Sequence, residues 1–112
     1  MQGKINSRAK GARGEREVAH ILREAGYTDA RRGQQYCGTS GDADVTGLPG
    51  AHLEIKRTER LALYKAMAQA QRDARPGETP VVVHRQNGKE WVAIMALDDF
   101  LDLWSRANQK GD

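Results

Sequence analysis

The sequence predicts an α/β fold: a mixed sheet flanked by helices, in the order helix, three strands, helix, two strands, helix. Three observations predict it. Residues 11–25 and 60–74 carry apolar side chains at helical spacing. Gly38 to Lys56 reads as loop, short strand, Gly-Leu-Pro-Gly turn and second strand. Val81-Val82-Val83 follows the second helix as a continuous apolar run, suited to a strand buried on both faces.

The chain has 112 residues, which fits one domain, expected over 11–112 behind a flexible basic segment at 1–10. The net charge is +3, from 18 basic and 15 acidic residues. The excess is concentrated early: Lys4, Arg8, Lys10 and Arg13 precede the first acid, Glu15. Such a segment suits a polyanion such as DNA, or simply a solvated surface. Cys37 is the only cysteine, so no intrachain disulfide can form, and a reducing cytoplasm is the expected setting. No apolar run approaches the ~20 residues of a membrane span.

In the first helix, Val18, Ile21, Leu22 and Ala25 form the apolar stripe and Gly26 ends it. Glu15 falls at the border of this stripe, Glu17 turns more to solvent, and His20 lies on the polar side. The first strand is expected within Tyr27 to Tyr36, with Arg31 and Arg32 placed for phosphate contacts or a solvated edge.

Strand alternation then puts Asp42, Asp44 and Thr46 on one face of the next strand. It puts His52, Glu54 and Lys56 on one face of Ala51 to Arg57, with Leu53, Ile55 and Arg57 opposite. Folding the two strands together through Gly47-Leu48-Pro49-Gly50 brings an aspartate, a glutamate and a lysine to one patch. Neighbouring carboxylates suit a hard cation such as Mg2+, and a lysine beside them can orient water or stabilise charge on a phosphate. Asp42 competes with Asp44, but Val45 after Asp44 places Asp44 within the strand. His52 shares the face and reads as a structural or DNA-facing residue.

In the second helix, Leu63, Met67, Ala70 and Ala74 are the expected buried side, with Tyr64 and Ala66 flanking. Lys65, Gln69, Arg72 and Asp73 are expected opposite. Arg75-Pro76-Gly77 breaks the helix. Strands follow at Pro80 to Arg85 and Glu90 to Ala96, joined through Asn87-Gly88. Asp98 is the expected N-cap of a last helix whose apolar side is Phe100, Leu101, Leu103 and Trp104; it either covers the sheet or joins a partner subunit.

Asp44 followed by Glu54-Ile55-Lys56, with Lys10-Gly11-x-x-x-Glu15-Arg16 before and Gln69 and Gly77-Glu78-Thr79-Pro80-Val81 after, resembles the PD-(D/E)XK nuclease superfamily. Within it, the pattern resembles the archaeal-type and phage-encoded Holliday junction resolvases, over roughly residues 8–86. Ala43 stands where the family usually has proline.

The resemblance implies a restriction-endonuclease-like αβββαββ core plus a C-terminal helix, and Mg2+-dependent hydrolysis of DNA phosphodiesters, with Mn2+ able to substitute. It implies Asp44, Glu54, the Ile55 carbonyl and Glu15 around the metal, Lys56 on the water, and Ser40, beside Thr39, on the scissile phosphate. It makes Gln69 a residue near the site, while Lys10, Arg13, Arg31 and Arg32 are the expected DNA contacts. A four-way junction has approximate two-fold symmetry, so a C2 homodimer is the expected reader. Other readings are an endonuclease of the same type acting on duplex, flap or single-stranded DNA, and a non-catalytic DNA-binding module. The expected compartment is the cytoplasm of a bacterium, an archaeon or a phage-infected cell.

Overall fold

A computed structural model describes residues 7–33 and 43–109. These form a five-stranded mixed sheet flanked by helices, with a C-terminal helix. The elements are α1 (Ser7–Glu24), β1 (Arg31–Arg32), β2 (Val45–Thr46), β3 (Ala51–Arg57), α2 (Leu63–Asp73), β4 (Thr79–Arg85), β5 (Val92–Ile94) and α3 (Leu97–Gln109). The sheet runs β1-β2-β3-β4-β5. β3 and β4 are parallel, joined across α2, and every other neighbouring pair is antiparallel.

The alternation of β3 decides which helix covers which face. Leu53 and Ile55 turn to α1 and pack with Val18, Ala19 and Val45. On the other face, Ala66, Met67 and Ala70 of α2 pack on Val82. α1 approaches β3 closely because Gly14 has no side chain: a Cβ there would lie 2.9 Å from the Cβ of Arg57. The β2–β3 turn uses Gly47 at φ +102°, and a Cβ there would lie 2.5 Å from the Ala30 Cα.

Several boundaries differ from the sequence expectation. α1 starts at Ser7, four residues ahead of the helix start expected at residue 11. Gly11 and Gly14 weaken helix propensity there, but packing of α1 on the sheet outweighs it. Ile21 is half exposed, and Ala19 takes its place in the core. β1 is only two residues among the described ones, because Gly26, at φ +106°, turns the chain through residues 25–30. α2 starts at Leu63, after a bend in which the Thr58 hydroxyl donates to the Arg60 carbonyl. It stops at Asp73, with Ala74 extended ahead of Arg75-Pro76. β5 is confined to Val92–Ile94. Phe100 N–H donates to the Ala96 carbonyl, so Asp98 sits inside the first turn of α3 rather than capping it. There the helix dipole favours it, with Asp99.

Candidate metal and phosphate site

The site is built where β2 meets β3. Val45 pairs with Leu53 in an antiparallel register, so one step along sets Asp44 opposite Glu54, on the α2 face. Asp44 is held by its backbone on both sides: its N–H donates to the Leu53 carbonyl, and its own carbonyl accepts from Gly33 N–H. Its Oδ2 accepts the Ile55 N–H at 2.8 Å. The carboxylate is thus fixed against the middle of Glu54-Ile55-Lys56. Ile55 touches Asp44 through its backbone N–H, not through the carbonyl expected at the metal, and its side chain lies in the α1 core.

Glu54 is 2 % exposed. Burial, and then the negative charge of Asp44, push its carboxyl above the ordinary value of 4.5; the hydrogen bond from His52 opposes this. Glu15 enters from α1. Its carboxyl is also raised, first by burial, with Asp44 adding to the rise and Arg32 opposing it. Arg32 Nε donates to Glu15 Oε1 at 2.9 Å. Asp44 of the loop before β2 therefore acts on both Glu15 of α1 and Glu54 of β3. Lys56 lies on the Glu54 face, and its Nζ donates to Gln69 Oε1 of α2 at 3.3 Å.

A second set of donors meets Glu54 from the other side. His52 is 1 % exposed and its Nε2 lies 2.9 Å from Glu54 Oε1, while Nδ1 is 3.7 Å from Glu78. Asp73 turns toward them, and ligand atoms of His52, Glu54 and Asp73 lie within 4.8 Å of one another. These three residues could hold a metal ion. The sequence expectation puts Asp73 on the solvent side, because it centres the apolar stripe on Leu63 and Ala74. Ala66 is buried instead. Asp73 follows Ala66 by seven residues and Ala70 by three, which places it on the same helix face.

Past Lys56 a cleft opens between the end of β3 and the start of α2, lined by Lys56, Thr58, Arg60, Lys65 and Gln69. Its three cations suit phosphate oxygens, beside an apolar wall of Leu61, Ala62 and Ala66. The motif pattern alone does not single out Arg60, Lys65 or Thr58. A count of basic residues around the motif lysine marks the first two.

The remaining expected contacts are less uniform. Arg31 is exposed on β1. Arg13 is exposed beside Arg16 and His20. Lys10 is drawn inward: its side chain is 14 % exposed and its Nζ lies 3.8 Å from Glu59. Glu17 accepts from both Arg85 and the Trp91 indole rather than pointing only to water. Ser40, Thr39, Cys37 and Asp42 lie outside the described residues.

No protein-family model matches the chain, and no curated protein or solved structure matches it significantly. No helix among the described residues is long and apolar enough to cross a membrane.

Proposed function

We propose that the chain is a Mg2+-dependent DNA endonuclease of the PD-(D/E)XK type, acting on four-way junctions. The observation that carries the reading is the convergence of Asp44 and Glu54, in paired register, with Glu15 from α1 and Lys56 on the same strand face as Glu54. The element order supports it: three antiparallel strands, then a helix and a strand parallel to the third. The resemblance implies a core whose elements follow in this order.

Asp44 and Glu54, opposed across β2 and β3, suit a hard divalent cation by their chemistry, although the ligand atoms that lie within 4.8 Å of one another are those of His52, Glu54 and Asp73. Glu15 and Glu54 are both raised by burial and by Asp44, with Arg32 and Arg16 at Glu15 and His52 at Glu54 offsetting part of the crowding. A cation held by Asp44 and Glu54, with Glu15 in support, offsets it more fully. Such a cation supplies Lewis acidity at the phosphate and a more acidic water. The protein's own groups do the rest. Asp44 is pinned by the Ile55 N–H and cannot swing away. His52 fixes the rotamer of Glu54. Lys56, steadied by Gln69, orients the attacking water or stabilises charge on the phosphate. Hydrolysis forms one P–O bond to the water oxygen and breaks one P–O bond to the sugar. Arg60 and Lys65 hold a neighbouring phosphate in the cleft beside Lys56. Junction selectivity would arise from backbone shape more than from base contacts.

The test is DNA cleavage with Mg2+ or Mn2+ by the wild type and Asp44→Asn, read together with DNA binding. Cleavage lost in the variant with binding retained supports the reading. Cleavage that survives Asp44→Asn overturns the assignment of the site. A protein that binds DNA but cleaves nothing with either ion is a DNA-binding module.

A further inference from the structure

We infer that the apolar face of α3 is a homodimer interface, joining two copies of this chain through antiparallel α3 helices. The inference is independent of the nuclease reading.

α3 has a core-forming sequence and no core. Leu97, Phe100, Leu101 and Trp104 follow one another at i, i+3, i+4 and i+7, with Leu103 flanking, which is the stripe of a helix that buries one side. Yet no residue of α3 is buried. Leu97 is 68 % exposed, Trp104 59 % and Leu101 52 %. The Phe100 and Trp104 rings lean on each other, 5.6 Å apart. Of the two sequence-based expectations for this helix, covering the sheet is therefore ruled out.

The patch continues onto the body of the protein. Leu97 also lines a groove with Leu63, Tyr64, Met67, Ile94 and Met95, and Tyr64 is 86 % exposed beside it. Taking ~150–250 Å² for each large side chain, the exposed fractions amount to about 600 Å² of apolar surface. That is at the top of the range for a monomer's largest patch, about 300–600 Å². Two copies would bury about 1,200 Å² together, which enters the range of stable, specific interfaces.

The area suits a second copy, and charge disfavours a parallel pair. Asp98, Asp99 and Asp102 lie in the first half of α3, and Arg106 is the basic residue of its last turn. All four are off the apolar stripe, so two stripes can meet without burying a charge. A parallel pair would bring six carboxylates to one end. An antiparallel pair keeps the two acidic halves apart and opposes the two helix dipoles, while Arg106 stays paired with Asp102 of its own helix. Three aspartates likewise disfavour an anionic membrane surface as the occupant.

The test is sedimentation of the full chain from low to high micromolar concentration, for the wild type, Leu101→Glu, Trp104→Glu and Ser105→Glu. The wild type and Ser105→Glu, on the polar face, are expected to form a dimer. Leu101→Glu and Trp104→Glu are each expected to weaken it at least about 100-fold, because the new carboxylate loses water without a partner. Far-UV spectra and thermal transitions at submicromolar concentration should match the wild type, since α3 adds nothing to the core. A wild type that stays near 12.4 kDa throughout, alone or while binding vesicles, overturns the inference. So does a dimer that persists in both stripe variants.

Discussion

His52→Ala isolates the electrostatics of the site. The imidazole is 1 % exposed, and its Nε2 lies 2.9 Å from the buried Glu54 carboxylate. Removing it leaves Glu54 at 2 % exposure beside Asp44, without its hydrogen bond, and opens a cavity below α2. Leaving a buried carboxylate without its hydrogen-bond partner costs about 3 kcal/mol. For a domain of this size that lowers Tm by on the order of 15 °C. The cost should depend on pH. The Glu54 carboxyl is raised in the fold, so the folded state holds its proton longer than the unfolded state does. The stability this contributes is fully present below pH 4.5, the ordinary value, and is lost as pH rises through the elevated one. His52→Ala should therefore be mildest near pH 4 and worst at neutral pH, in the absence of divalent metal. Adding Glu54→Gln removes the charge, and the double variant should recover about 2 kcal/mol. The assay is urea unfolding across that pH range for the four members of the cycle. A loss below about 1 kcal/mol at pH 7, or no recovery in the double variant, would refute the claim that His52 holds a buried, ionised Glu54.

Metal binding should follow the same titration in the opposite sense. Protons and cation compete for Glu15 and Glu54, both raised, so Mg2+ affinity measured by calorimetry should climb as pH rises from 4.5 and then level off; a flat profile would remove these acids from the metal. At 100 times its Kd, bound metal should stabilise the fold by about 2.7 kcal/mol, and Asp44→Asn should abolish this; stabilisation lost instead in Asp73→Asn alone would move the metal to His52, Glu54 and Asp73. Replacing Arg60 and Lys65 by alanine should weaken DNA binding and flatten its log–log salt dependence by roughly 0.9 for each phosphate no longer neutralised, whereas an unchanged slope would empty the cleft of phosphate. Gly47→Ala should cost about 2–3 kcal/mol in thermal unfolding, because φ is +102° and the new Cβ meets the backbone of Ala30; a neutral result would contradict the turn geometry.

Strand alternation and one turn carry much of the architecture into view. His52, Glu54 and Lys56 alternate with Leu53, Ile55 and Arg57 across β3, and the glycine-flanked turn sets Asp44 beside them. Pairwise register follows from those local rules, so the acidic pair is legible in the sequence. What escapes depends on distant packing. The rotation of α2 is set by Ala66 and Ala70 fitting against Val82. Small residues give a weak periodic signal, so periodicity alone turns Asp73 to water. The length of α1 escapes because the sheet tolerates, and at Gly14 needs, a glycine that propensity counts against a helix. The bare face of α3 is ambiguous in principle: an apolar stripe states that something covers it, and only the fold shows that its own sheet does not.

The most direct measurement uses an end-labelled synthetic four-way junction and a linear duplex made from the same arms, each incubated with the protein and Mg2+ beside Lys56→Ala. The account predicts paired, symmetric nicks in the junction alone, absent in the variant, which should still bind the junction. Equal cutting of both substrates would contradict junction selectivity while leaving Asp44, Glu54 and Lys56 as a nuclease site. No cutting of either, with Mn2+ also tried, would contradict the central claim.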